Sequence, residues 1–197
     1  MNLGEVAKQL EQFGYCVCPS FLESTLLSSA CKDFEQIKKE GGFCRAGIGQ
    51  NQNNQVQLQI RNDETFWFDR RSSNLTQGLL LDQIELLRNE FNQKLFLNLQ
   101  DFEGHYASYE AGGFYRRHRD SFKNCNSRFV TVILYLNENW QEDKGGQLRI
   151  FHHDTYLDVV PNGGTMVCFM SQDLEHEVLT SAVKRNSFTG WLKVRTY

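Results

Sequence analysis

Residues 104–120, GHYASYEAGGFYRRHRD, carry the pattern that decides the fold prediction. They hold two strand candidates, 104–109 and 115–120, separated by a turn signal at Gly112-Gly113. Six more short candidates follow along the chain, each bounded by turn residues, and eight short strands are what a double-sheet jelly roll needs. The six are residues 128–136, 146–151, 156–160, 165–170, 175–179 and 187–195.

Before residue 100 the apolar residues follow a helical period instead. Four of them recur three or four residues apart near the start, and Gly14 follows as a stop signal. We therefore predict an α+β fold, in which N-terminal helices support a double-stranded β-helix, or jelly roll. The four residues are Leu3, Val6, Leu10 and Phe13, and the predicted elements are a helix over 2–13, a strand over 15–18, and helices over 23–41 and about 79–96.

The length of 197 residues suits one domain with a substantial core and is short for two. We predict a single domain over 1–197, with helical support and a long loop in 1–100 and the jelly-roll core in 101–197. A long mobile loop or a hairpin is expected over 41–57, which is rich in Gly, Asn and Gln, and a strand-like run over 56–60 closes it. Loops of this length inside a compact domain are usually functional or disordered.

Charge and composition narrow the function classes. A net charge of -3 gives no general attraction to nucleic acid or to an anionic membrane. Locally, Arg116, Arg117 and Arg119 form a basic run, which has either an electrostatic role in substrate binding or the role of a solvated strand edge. No apolar run approaches the ~20 residues that span a bilayer, and no charged leader precedes an apolar run at Met1. We expect a cytoplasmic protein with no membrane and no nucleic-acid partner.

The six cysteines do not form a recognisable framework. They contain no C-x-x-C pair, and their scatter in a chain of this size argues against disulfides. Cys16 and Cys18 supply too few ligands for a structural zinc site, so we place them in a buried strand.

His118 and Asp120 lie two residues apart on a predicted strand, so their side chains project from the same face. Together with His176 they make two histidines and one carboxylate, the ligand set of a non-haem Fe(II) facial triad. An H-x-D spacing alone is weak evidence, because His152 and Asp154 have it too. Four candidate strands separate Asp120 from His176, enough to return beside the first strand, whereas only two follow His152. We therefore assign the 152–154 pair to an exposed turn.

Arg185 lies two residues before the predicted strand 187–195 and continues its alternation, in which every second residue is polar or aromatic. If that face is the barrel interior, the buried guanidinium needs an anion, and no acidic residue shares its face. A ligand carboxylate fits this role, because an arginine can bind it through two parallel hydrogen bonds. Tyr135, on the strand 128–136, is a candidate hydroxyl donor to the same group. The alternative is that Arg185 is a surface charge at a strand start. The residues sharing its parity are Ser187, Thr189 and Trp191.

Five motifs, taken in order, resemble the Fe(II)- and 2-oxoglutarate-dependent oxygenases. The similarity is to the prolyl hydroxylases related to the hypoxia-sensing enzymes and their bacterial homologues, and it covers most of the chain. Collagen-type prolyl hydroxylases have a lysine for the distal carboxylate, so an arginine nine residues after His176 favours the hypoxia-sensor-like branch. The motifs are YEAGGFYRRHRD at 109–120, VTVILYLN at 130–137, GGQLRIF at 145–151, HEV at 176–178 and R-x-S-x-T-G-W at 185–191.

The resemblance implies a role for each matching residue. The family's mobile loop over the peptide substrate has glycine where Asn62 stands here, which puts the identity of the substrate in doubt. The resemblance implies that iron is held by His118, Asp120 and His176, and that the distal carboxylate of 2-oxoglutarate is bound by Arg185 and Tyr135. It also implies that Tyr109 and Thr189 line the 2-oxoglutarate pocket. The residues expected to contact the substrate are Tyr115, Trp191, Arg61 and Asp63.

The implied activity is hydroxylation of a prolyl residue in a protein, with succinate and CO2 as co-products. Fe(II) would be the cofactor, 2-oxoglutarate and O2 the co-substrates, and ascorbate (vitamin C) a further candidate cofactor. The expected partner is a protein with an exposed proline, with a translation factor as one candidate, and the expected state is a monomer. Two alternatives stay open: the same chemistry on a small molecule such as a free amino acid, and a non-catalytic jelly-roll binding module.

Overall fold

The computed structural model describes residues 2–47, 57–120 and 127–195. Within these ranges the chain forms three α-helices and eleven β-strands. The helices are α1 (Leu3–Phe13), α2 (Ser24–Lys39) and α3 (Leu75–Leu95). The strands are β1 (Tyr15–Cys18), β2 (Cys44–Arg45), β3 (Glu64–Trp67), β4 (Asp101–Tyr109), β5 (Tyr115–His118), β6 (Arg128–Tyr135), β7 (Leu148–His152), β8 (Thr155–Val159), β9 (Met166–Met170), β10 (Glu175–Val178) and β11 (Arg185–Lys193).

The strands form two antiparallel sheets. The larger has the order β1-β9-β6-β11-β4-β3-β2, and the smaller has the order β5-β10-β7-β8. All eight strands predicted after residue 100 are present as β4 to β11, with ends that shift by a few residues. The α+β jelly-roll prediction is confirmed.

Strand β6 shows how alternation assigns side chains to the two sides of the larger sheet. Val132 and Leu134 join the cluster that packs under the helices. Ile133 and Tyr135 point the other way, into the cluster between the two sheets. The helices therefore cover one face of the larger sheet, as predicted, and leave the other face for the smaller sheet. From the helices, the covered side receives Val6, Leu10, Phe34, Leu80, Ile84 and Leu87.

Two predicted boundaries and one predicted strand were wrong. Helix α3 begins at Leu75 rather than near 79, because Asn74 and Gln77 form a capping box that fixes the earlier start. Residues 58–60 form a turn rather than a strand, since Gln57 O accepts hydrogen bonds from the N–H groups of Ile60 and Arg61 at 2.9 and 3.1 Å. The third is strand β5, which ends at His118, so Asp120 lies just beyond it.

The short strands β2 and β3 pair with each other and extend the larger sheet at its edge; a hairpin was one alternative for 41–57, but neither strand was predicted. Most of the predicted 41–57 loop, residues 48–56, lies outside the described residues. Cys16 and Cys18 are buried in β1, as predicted. None of the helices in the described ranges is long and apolar enough to cross a membrane.

Candidate metal and co-substrate site

Two neighbouring strands of the smaller sheet bring the predicted metal ligands together. His118 on β5 is paired in register with His176 on β10, and Asp120 follows directly after β5. Each of the three offers one ligand atom, and these atoms lie within 4.8 Å of one another. The Nε2 atoms of His118 and His176 lie 3.5 and 3.6 Å from the two carboxylate oxygens of Asp120. In the described ranges, this is the group of three that can hold a metal ion.

Neighbouring groups hold the ligands in orientation. His118 Nδ1 donates to the carbonyl oxygen of Arg116 at 2.7 Å, which turns Nε2 toward the site. The ring of Tyr115 stacks on His118 with centroids 3.5 Å apart. On the other ligand, the hydroxyl of Thr131 donates to Asp120 Oδ2 at 2.8 Å and lies 2.9 Å from the hydroxyl of Ser171. The metal ligands are therefore fixed by a surrounding set of hydrogen bonds.

The charge states of the three groups fit a divalent cation. Burial opposes ionisation of Asp120, but His176 and His118 outweigh it and hold the pKa of the carboxyl below its ordinary value. Burial first, and then the neighbouring His118, lower the pKa of His176 to about 4. At neutral pH the site offers a carboxylate and neutral imidazole, the donor types that non-haem Fe(II) takes.

The other H-x-D pair lies elsewhere. His152 ends β7, His153 has a left-handed backbone (φ 52°), and Asp154 is exposed. His153 and Asp154 form the exposed turn of the β7–β8 hairpin, as predicted, but the prediction was wrong for His152, which is half-buried at the end of β7 and paired with Thr155.

Arg185 is buried at the start of β11, with 1% of its surface exposed. Its Nε donates to the carbonyl oxygen of Gly146 at 2.8 Å, and its guanidinium lies 5.2 and 5.1 Å from the ring centroids of Tyr109 and Tyr135. No acidic side chain in the described part of the chain pairs with it. The surface-charge alternative for Arg185 was wrong, and a buried cation of this kind calls for an anionic ligand.

Tyr135 adds an unused donor beside Arg185. It is fully buried, and its hydroxyl has no hydrogen-bond partner in the described ranges. Burial raises the pKa of Tyr135 to about 12, although the Arg185 charge acts in the opposite direction. The hydroxyl therefore keeps its proton and can donate to a carboxylate held by Arg185.

A cavity of about 280 Å³ joins the triad to Arg185. The face of β11 predicted to line it does so, while Phe188 and Leu192 point to the helix side. Two predicted residues lie behind the wall rather than on it: Tyr135 beside Arg185, and Asp63 beneath Arg61. The predicted residues on the wall are His118, Asp120, His176, Arg185, Thr189, Trp191, Tyr109, Tyr115 and Arg61, with Ser187 from the same face of β11.

The segment 60–63 follows the predicted loop and packs against strand β5, which carries the metal ligand His118. Arg61 forms two hydrogen bonds with Asp63, at 2.7 and 2.5 Å, and its guanidinium lies 4.3 Å from the ring of Tyr115. The side-chain oxygen of Asn62 accepts from the N–H of Phe114 at 2.9 Å. An Arg61, Tyr115 and His118 stack therefore runs from the loop end to a metal ligand.

The sequence did not single out three residues that belong to the site. His105 and Arg128 line the cavity, and Thr131 holds Asp120. Strand parity could have found His105, because it shares a face with Tyr109. Conversely, the basic run does not line the cavity: its side chains are exposed, and Arg117 pairs with Glu175 on β10. The solvated-edge alternative fits these contacts.

Comparisons with known proteins agree with the geometry. Residues 104–193 match the family model described as the 2OG-Fe(II) oxygenase superfamily. A Pseudomonas putida prolyl-4-hydroxylase has a similar structure, with 37% identity, 98% of this chain and 99% of that chain covered, and a TM-score of 0.90. A prolyl hydroxylase solved with a hypoxia-inducible factor peptide fragment from Trichoplax adhaerens is 26% identical over 97% of this chain and 89% of that chain, with a TM-score of 0.87.

Curated relatives include the hypoxia-inducible factor prolyl hydroxylase of Caenorhabditis elegans and human Egl nine homolog 1, each 27% identical over more than nine-tenths of this chain. The chain spans 27% and 44% of their lengths. The near-complete match at 37% identity, together with the cavity just described, shows that the chain belongs to the prolyl hydroxylase family of the 2-oxoglutarate- and Fe(II)-dependent oxygenases.

Proposed function

We propose that the chain is a 2-oxoglutarate-dependent dioxygenase that hydroxylates a prolyl residue in a protein substrate, with succinate and CO2 as co-products. One observation carries the proposal. The cavity that holds two histidines and a carboxylate also holds a buried arginine, Arg185, with no acidic partner in the described ranges. A metal site and a separate carboxylate site in one cavity match a co-substrate that binds at both ends.

In this proposal His118, Asp120 and His176 hold Fe(II). Arg185 and the Tyr135 hydroxyl bind the distal carboxylate of 2-oxoglutarate, and Tyr109 and Thr189 flank its chain. Bound iron supplies the oxidising chemistry with 2-oxoglutarate and O2. The protein orients the reactants and limits the access of water, since Tyr109 and His176 are almost completely buried.

The substrate would enter past Trp67, which is 50% exposed and lies 6.1 Å from Trp191. Arg61 lines the cavity on the same side, held by Asp63, and Tyr115 lies beneath it. An aromatic and basic rim suits a peptide better than a free amino acid, because a peptide extends beyond the cavity. The relative solved with a peptide fragment supports the same choice.

Mass spectrometry on cells with and without the gene tests the substrate class. We expect prolyl residues that carry one extra oxygen in the wild type and lose it in the deletion strain and in an Arg185→Lys strain. If oxygen is added only to a free amino acid or another small molecule, the proposal fails in favour of the small-molecule alternative.

The binding-module alternative has its own test. Anaerobic addition of Fe(II) and 2-oxoglutarate should give the weak metal-to-ligand charge-transfer band of the chelate. Absence of the band, with the protein folded, would indicate a non-catalytic module.

The finer expectations belong to the same proposal. We propose a cytoplasmic monomer that acts on a translation factor and that ascorbate maintains in its active state. The same mass-spectrometric comparison identifies the substrate, and light scattering and assays with and without ascorbate test the rest.

A further inference from the structure

His105 is a buried polar side chain in the cavity to which the proposed roles assign no task. It lies on β4, is 3% exposed and lines the cavity. Its ring centroid lies 4.5 Å from that of Trp67 and 5.5 Å from that of Trp191. Because half of Trp67 is exposed, His105 lies one ring beneath the rim, on the side where a substrate would enter.

The protonation state of His105 follows from its surroundings. Burial, and then the charges of Arg61 and Arg128, lower its pKa to about 3, against a weaker opposing effect of Asp120. The neutral ring carries one N–H. Nδ1 is enclosed and has no hydrogen-bond partner among the described residues. A proton on Nδ1 would be a buried donor without an acceptor, so the proton belongs on Nε2. The His105 ring therefore presents its Nε2–H to the cavity as a hydrogen-bond donor.

The register of β4 and β11 separates His105 along the strand from the proposed carboxylate site. Tyr109 is opposite Arg185, and His105 is opposite Thr189, four residues farther along. Four residues of antiparallel strand span about 14 Å. A five-carbon dicarboxylate spans roughly 5 to 6 Å, from four C–C bonds of about 1.5 Å each. The backbone at His105 therefore lies farther from the backbone at the carboxylate site than the length of the co-substrate.

A prolyl substrate would supply the missing acceptor. The nitrogen of a peptide-bound proline carries no hydrogen, so the backbone at the target offers carbonyl oxygens and lacks a donor. A site that recognises this backbone must present donors, and His105 is a neutral one that packs against two tryptophan rings.

We propose that His105 is a positioning residue for the substrate, whose Nε2–H donates a hydrogen bond to a main-chain carbonyl oxygen beside the target proline. The inference rests on the proposed peptide function. It adds a specific contact, on a residue outside the metal and 2-oxoglutarate sets.

The test uses the whole chain loaded with Zn(II) and 2-oxoglutarate. The probe is the tightest-binding member of a synthetic library of blocked peptides with a central proline. Calorimetry gives the Kd of peptide and of 2-oxoglutarate for wild type, His105→Gln and His105→Asn. The two variants are matched amides: the glutamine nitrogen reaches the place of Nε2, and the shorter asparagine does not.

We expect His105→Asn to weaken peptide binding about fivefold, which is about 1 kcal/mol. His105→Gln should stay within about twofold of wild type, since it restores the donor. If His105→Asn does not fold, His105→Phe keeps a ring against the two tryptophans and should show the same loss.

Equal peptide Kd values for wild type and the donor-free variant would overturn the inference and leave the proposed function standing. An equal loss in both amide variants, or a matching loss of 2-oxoglutarate affinity, would also overturn it, because either result indicates a packing defect. If no library member binds wild type, the inference and the proposed function both fail.

Discussion

At the scale of single residues, Arg185 is the group on which co-substrate binding should depend most. Its Nε is already used by Gly146 O, and the rest of the guanidinium is buried between two tyrosine rings. A lysine keeps the charge but loses the planar pair of donors. We expect Arg185→Lys to raise the Kd of 2-oxoglutarate about tenfold or more, since a charge-assisted hydrogen bond is worth about 1.5–3 kcal/mol.

Anaerobic titration of the charge-transfer band measures this change. Arg149→Lys is the matched control, because Arg149 pairs with Asp158 on the outer side of the smaller sheet. The same loss in both variants, or none in Arg185→Lys, would contradict the assignment of the carboxylate site.

Thr131 should act on the metal without contacting it. Its hydroxyl donates to Asp120 Oδ2, and groups in this position typically change metal affinity 10- to 100-fold. Thr131→Val should therefore weaken Fe(II) binding by about tenfold, while Thr131→Ser, which keeps the hydroxyl, should restore most of it. Competition with a fluorescent chelator gives the Kd, and equal affinity in the valine and serine variants would show that the hydrogen bond is unimportant.

The sequence could reveal the site residues that belong to a motif or a strand pattern, but not those whose roles arise from contacts between strands. His118, Asp120 and His176 form a known ligand set, and Arg185 is conspicuous because it is a charge that shares the parity of the inward-facing residues of its strand. Thr131 and His105 have no such signal, because their roles arise from contacts across strands. Thr131 reaches a carboxylate that is eleven residues away in sequence, and His105 meets Trp67 and Trp191 from two other strands.

At the scale of elements, segment 60–62 is hydrogen-bonded to strand β5, which carries the metal ligand His118. Ile60 O accepts from the N–H of Arg116 at 2.9 Å, and Asn62 holds the N–H of Phe114. Asn62→Gly should release Phe114 and lower the free energy of unfolding by about 1 kcal/mol. Faster hydrogen exchange at the amide of Phe114 should accompany the loss.

Asn62→Asp is the control for that variant, because its carboxylate can still accept the same hydrogen bond. Unchanged exchange at Phe114 in Asn62→Gly would show that the side chain does not hold the turn. If exchange changes and peptide affinity does not, the junction serves stability alone.

Elements with strong internal patterns were predictable, and elements made by tertiary pairing were not. Strands β4 to β11 alternate and end at turn residues, so their number and order followed from the chain. The β2–β3 hairpin contains only two and four residues and has little pattern of its own. Helix α3 begins early because the capping box at Asn74 and Gln77 outweighs the apolar period that suggested residue 79.

At the scale of the whole molecule, the buried His105 should make the metal-free protein less stable in acid. Its folded pKa of about 3 lies below the ordinary 6.5, so the unfolded chain takes up a proton that the folded chain does not. This contribution to stability is present above pH 6.5 and is lost as the pH falls toward 3. Between pH 6.5 and 5 the loss should be about 2 kcal/mol.

Urea unfolding of the chelator-treated protein over that pH range measures the slope. His105→Gln, which does not titrate, should show a shallower dependence than wild type. Parallel curves for the two proteins would mean that His105 is accessible to protons in the folded state.

The central claim is that one cavity couples 2-oxoglutarate turnover to prolyl hydroxylation through His118, Asp120 and His176. The most direct measurement is release of labelled CO2 from carbon 1 of 2-oxoglutarate, together with hydroxyproline formation in a substrate peptide. Wild type and His152→Ala, which is altered at the end of β7 and outside the cavity lining, should release CO2 and form hydroxyproline in equal amounts. Alanine at any of the three ligands should reduce both to background, and full activity in any one of those variants would contradict the claim.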